Sequence, residues 1–172
     1  MKTLKTSILL IISSLASFAQ NKYTAPPLSP NRLFYIQRSN NAHTVIYDAN
    51  LNNKVLNAEN PVNVYWIRYG DKIHKKNLNT IEKALAYGVE TKQNNGSFDV
   101  KIVAFKKKNI NLKVNEKGQP MATMQINGIE SQLHKIFVQL ENNESFCPKV
   151  KYIEIFGKTL VTEIDIYERI KP

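Results

Sequence analysis

Between Phe98 and Ile170 apolar residues recur at every second position, in short runs broken by turn formers. Phe98, Val100, Ile102 and Ala104 alternate with Asp99, Lys101 and Val103, and Ile110, Leu112 and Val114 alternate with Asn111, Lys113 and Asn115. Ala122, Met124 and Ile126 follow, then His134, Ile136, Val138 and Leu140, then Ile153 and Ile155, and finally Leu160, Thr162, Ile164, Ile166 and Ile170. Side chains alternate across a strand, so each run puts one apolar face toward a core. Lys106-Lys107-Lys108-Asn109, Glu116-Lys117-Gly118, Gly128 and Gly157-Lys158 read as the turns between them. Connections this short join neighbouring antiparallel strands.

The upstream half adds three strands. Residues 33–38 and 43–49 form two, with Ser39-Asn40-Asn41 as the turn, and residues 50–60 form an Asn-rich loop. The third, VNVYWIRY at 62–69, carries Val62, Val64, Trp66 and Arg68 on one face and Tyr65, Ile67 and Tyr69 on the other. Large apolar groups on both faces predict an inner strand covered on both sides. A helix is expected over 79–87. Leu78, Ile81 and Leu85 have helical spacing, Asn79 and Glu82 stand as a capping box, and Gly88 fits a left-handed stop. About nine strands and one short helix give a mainly β fold, an antiparallel sandwich or barrel-like sheet. The sandwich is favoured because two groups of strands flank the helical connection.

The N-terminal MKTLKTSILLIISSLASFAQ has a basic start, an apolar middle and small residues at Ser17 and Ala19. It reads as a signal peptide over 1–19, cleaved near Ala19, which implies a periplasmic or secreted protein. Residues 20–31 hold three prolines and read as an extended leader, leaving 32–172 as a single β-rich domain. No later segment is apolar enough to cross a membrane as a helix. Cys147 is the single cysteine, so no internal disulfide can form, and it reads as a structural residue. The formal charge is +10, which favours anionic surfaces as partners.

Catalytic and cofactor motifs are missing: there is no G-x-S-x-G, H-E-x-x-H, C-x-x-C or phosphate-binding glycine loop. No cofactor is expected. Adjacent strands could bring His43 and His134 to Asp48 or Glu130 as a metal site, but unrelated histidines are the simpler reading. Arg68 shares a face with Trp66. It could hold an anion or Glu82, or it could carry its head to water along an apolar stem. Glu82 is explained by its capping position. Trp66, Arg68, Glu82 and Tyr87 together form the candidate ligand site. Lys106, Lys107 and Lys108 form a candidate polyanion tip, with Phe105 as its one aromatic. A base-stacking platform needs more, so nucleic acid is not the expected partner. Glu154, Glu163 and Asp165 could line a hydrolytic cleft or lie on a solvated face.

The run Pro61-Val62-Asn63-Val64-Tyr65-Trp66-Ile67-Arg68, the short helix ending Leu85-Ala86-Tyr87-Gly88, and the upstream Leu33-Phe34-Tyr35-Ile36-Gln37-Arg38-Ser39 resemble the secreted bacterial family catalogued as domain of unknown function 4833. The resemblance covers roughly 30–170. It implies an exported domain and carries no mechanism to any residue. The expected function is a binding or interaction module of the cell envelope, for an anionic envelope component or a small apolar ligand. An envelope-polymer hydrolase using the surface carboxylates is the alternative.

Overall fold

The computed structural model describes residues 24–141 and 148–171. The expected signal peptide, the first residues of the leader and Cys147 lie outside them. The strands are β1 (Arg32–Arg38), β2 (Asn41–Ala49), β3 (Leu51–Asn52), β4 (Val55–Leu56), β5 (Val62–Arg68), β6 (His74–Asn77), β7 (Val89–Asn94), β8 (Ser97–Ile102), β9 (Phe105–Val114), β10 (Pro120–Ile126), β11 (Ile129–Leu140), β12 (Val150–Thr159) and β13 (Asp165–Ile170). The helical segment is α1 (Thr80–Glu82) continued by a wider π turn, Lys83–Tyr87. The fold is mainly β with one short helix, as the periodicity implies.

Except for the small β3–β4 pair, every strand belongs to one sheet. Its path runs β6-β5-β2-β1-β11-β10-β9-β8-β7, with β12 and β13 branching from β11. The branch follows from the register. On one edge of β11, residues 129–132 pair with β10 and residues 135–138 pair with β1. On the other edge, β12 runs along 131–140. A bulge between Leu133 and Lys135 sits where the first edge changes partner. The sheet therefore forks at β11 into two arms, β1-β2-β5-β6 and β10-β9-β8-β7. The two arms face each other, because Ile36 of one and Ile102 of the other line the same cavity. The expected all-antiparallel pairing is corrected at one interface: β1 runs parallel to β11.

The main core lies between the arms. Phe34, Val45, Tyr47 and Trp66 from one arm join Val100, Ile102, Ile110, Leu112 and Met124 from the other, with Leu133, Ile136 and Ile155 from the stem. Phe34 and Tyr47 stack at 4.4 Å. A smaller cluster, Ile46, Tyr65 and Ile67, covers the outer face of the first arm. β5 is thus buried on both faces and flanked by β2 and β6, as its apolar faces require. The leader packs here too: Pro26 is buried, and Gln37 donates to the Thr24 carbonyl at 2.9 Å.

Three local expectations are corrected. Lys106–Lys108 lie within β9, and the turn falls at Val103-Ala104. Gly157 lies within β12, not in a turn: a Cβ there would sit 2.4 Å from the Gln132 carbonyl oxygen. The glycine is needed for close approach of β11, and the chain turns at 160–162 instead. There the Thr159 hydroxyl meets that of Thr162 at 2.7 Å and accepts from Ile164 N–H. Lastly, Ile81 and Leu85 are exposed, so only Leu78 of the expected helical stripe is buried. Among the described residues, no helix is long and apolar enough to cross a membrane.

Candidate functional site

The site is built where the helical segment meets the open end of the fork. Asn79 and Glu82 form the capping box: the Asn79 side chain accepts from Glu82 N–H at 2.8 Å, and the Glu82 carboxylate accepts from Asn79 N–H at 2.9 Å. The segment then widens, and Gly88 N–H donates to the Lys83 carbonyl at 3.1 Å. Gly88 has extended backbone at φ −60°, not the expected left-handed stop. It must be glycine for space, since a Cβ would sit 2.1 Å from the Lys83 oxygen. Backbone bonds from Val103 N–H to Gly88 O and from Ala104 N–H to Ala86 O tie this turn to the second arm. The Tyr47 hydroxyl donates to the Tyr87 carbonyl at 2.8 Å and ties it to the first. Burial pushes both tyrosine phenols up from their ordinary pKa.

Held this way, Tyr87 meets Trp66 edge to face at 5.1 Å. Beside them is a cavity of about 210 Å³. Its walls are apolar, among them Ile36, Ile102, Phe105, Ile136 and Val150, and among the described residues Arg38 is the one charged side chain that lines it. The Arg38 guanidinium lies 5.2 Å from the Trp66 ring centre and 5.6 Å from that of Tyr87. Arg68 approaches the same Trp66 ring at 6.0 Å.

Register explains the grouping. Trp66 pairs with Val45, which pairs with Ile36, so these three form one apolar row across β5, β2 and β1. Two residues further along β1 and β5 stand Arg38 and Arg68: Arg38 pairs with Asn41 across a register shift in β2, Arg68 pairs with His74 on β6, and His43 lies within reach of all three charges. His43 takes the Tyr69 N–H on its Nδ1 at 3.2 Å. Its pKa is lowered by burial first, then by the charges of Arg68 and Arg38 and by His74. Arg38, Arg68, His43 and His74 thus form one basic cluster.

The other sequence candidates fall elsewhere. Trp66, Arg68 and Tyr87 come together, while the Glu82 carboxylate is occupied at the helix start. Lys106 pairs with Glu90, and Lys108 pairs with Glu168 at 2.8 Å, so the three lysines do not present one free basic tip. Lys107 is exposed. Glu154 accepts from Arg169 at 2.6 Å and from Tyr167 at 2.9 Å. Asp165 faces Lys158 across the β12–β13 pair, and Glu163 sits in the adjoining turn at φ +53°. Among the described residues no three His, Cys, Asp or Glu side chains lie close enough to hold a metal. Arg38 is the member that sequence reasoning missed, and that reasoning placed His43 only in a possible metal site. The signal was present: each stands one alternate position beyond an apolar residue of its strand, as Arg68 does beyond Trp66.

Fold and cavity together define a small β domain built on one forked sheet with a helical turn across its open end. The chain belongs to the family described as a domain of unknown function, DUF4833, whose model matches residues 34–169. No curated protein and no solved structure matches it.

Proposed function

We propose that the protein is an exported binding module of the cell envelope that holds a small, mainly apolar ligand in the cavity beside Tyr87. The observation that carries this reading is the cavity's lining, which among the described residues is apolar on nearly all sides with a single guanidinium. Ligand sites characteristically combine apolar walls with a few placed polar groups. An apolar cavity of about 150 Å³ takes up a benzene-sized guest, so about 210 Å³ is ample for a short alkyl or aryl group. The N-terminal segment with the pattern of a signal peptide supports the location.

Trp66 is the only tryptophan and lies next to the cavity, so its fluorescence reports on occupancy. Titration with octanol, octanoate and octyl phosphate is expected to give a saturable change. Val138→Phe, which fills part of the cavity, is expected to abolish it while keeping a cooperative melt. No saturable change with any of the three, or an unchanged response in folded V138F, overturns the reading.

A further inference from the structure

Five buried side-chain polar atoms have no hydrogen-bond partner among the described residues, and three belong to one neighbourhood: Arg38 Nε, Arg68 Nε and Trp66 Nε1. Buried donors of this kind are rare, and each calls for a physical cause. Their neighbours do not supply it. The four ion pairs of the described residues join Arg32 to Asp48, Lys106 to Glu90, Lys108 to Glu168 and Arg169 to Glu154. None reaches Arg38 or Arg68. Lying 5.2 and 6.0 Å from the Trp66 ring centre, the two guanidinium groups gain a cation–π contact that leaves the Nε–H groups without an acceptor. Arg38 and Arg68 also bring two guanidinium charges to the same Trp66 ring, which is unfavourable unless an anion lies nearby.

We propose that Arg38, Arg68 and the Trp66 indole N–H form an oxyanion subsite for a carboxylate, phosphate or sulfate group beside the apolar cavity. Charge-assisted bonds from two guanidinium groups and one neutral N–H suit such a group, and arginine's planar fork fits its oxygens. With the cavity next to it, the subsite takes the head of an amphiphilic anion whose tail enters between Ile102 and Ile136. That last step rests on the cavity reading; the subsite itself does not.

The single indole N–H gives one cross-peak in a ¹H–¹⁵N spectrum, and it is the probe. Inorganic phosphate and sulfate are expected to shift it saturably, and Arg38→Met and Arg68→Met are each expected to weaken the response by about tenfold or more. Arg169→Met, on β13 and paired with Glu154, serves as the control and is expected to respond as the wild type does. Octyl phosphate is expected to bind more tightly than inorganic phosphate. If inorganic anions and octyl phosphate bind equally, the subsite stands as a site for the free ion and the cavity reading falls. If octanol binds as tightly as octyl phosphate and inorganic anions leave the indole peak unmoved, the subsite is overturned and the cavity reading stands. Equal anion binding by wild type and folded R38M and R68M also overturns it.

Discussion

Gly157→Ala is expected to be among the most damaging single-methyl additions to this protein. The added Cβ would lie 2.4 Å from the Gln132 carbonyl oxygen and 2.6 Å from Ile126 Cδ1. Real Cβ atoms keep at least 3.0 Å, so the first contact is short by about 0.6 Å. Ile126 can turn its terminal methyl aside. The carbonyl cannot move without shifting β12 against β11, the strand on which both arms depend. Overpacking of this kind costs about 1–3 kcal/mol, and a backbone partner puts the cost near the upper end. Reduced freedom of the unfolded chain returns about 0.4–1 kcal/mol of it. The net loss is about 2 kcal/mol, which lowers a urea midpoint by about 1 M for a slope near 2 kcal/mol/M. Gly70→Ala is the matched control: nothing lies within 4 Å of its Cβ position and its φ is not left-handed, so its midpoint should stay close to wild type. A Gly157→Ala midpoint equal to that of Gly70→Ala would refute the close-approach argument.

Asn79→Ala removes the side-chain acceptor of the capping box, and a loss of about 1 kcal/mol is expected in denaturant unfolding; it should also loosen Tyr87, seen as altered Trp66 emission. Lys135 is buried facing Phe137 and Phe156, and burial lowers its pKa against the pull of Glu154; Lys135→Met should therefore leave stability equal or higher by up to about 1 kcal/mol, and a clear loss would show that the ammonium's contacts with the rings and Glu154 outweigh its desolvation. Burial, then the hydrogen bond to Asp48 at 2.7 Å, pushes the Tyr65 phenol up to about 12. Its folded state holds the proton longer than the unfolded chain, so its stabilisation is complete below the ordinary value of 10.0 and is lost as pH rises toward about 12; in alkaline urea melts Tyr65→Phe should show a shallower decline than wild type.

What the sequence made legible was local. Alternation marked the strand at Phe98–Ile102 and the Ile110–Val114 half of β9, and the Asn79/Glu82 spacing marked the helix start to the residue. What it hid was pairing and space. Nothing in the Tyr35–Arg38 pattern names Lys135–Val138, about a hundred residues away, as a parallel neighbour. Lys106–Lys108 read as a turn because lysine runs are usually solvated, yet Glu90 and Glu168 come from distant strands to meet two of them. Gly157 read as a turn because a missing side chain looks the same whether it frees the backbone or admits a neighbour. The helical stripe misled because a single turn of α-helix widened into a π turn has no continuous face to bury. For the site, Trp66, Arg68 and Tyr87 could be found within one stretch, whereas Arg38 joins them only once β1, β2 and β5 are in register.

The fork at β11 also bears on how the chain reaches this shape. β1 finds β2 almost at once, but its other edge waits until about a hundred further residues have been synthesised. Pairings between such distant segments are slow to form, because a large loop must close before any contact rewards it. During that interval the open edge of β1 is a ready template for the strands of other molecules. A nascent chain of this protein is therefore most exposed to misassembly after its first hairpin has formed and before its twelve-residue stem has arrived.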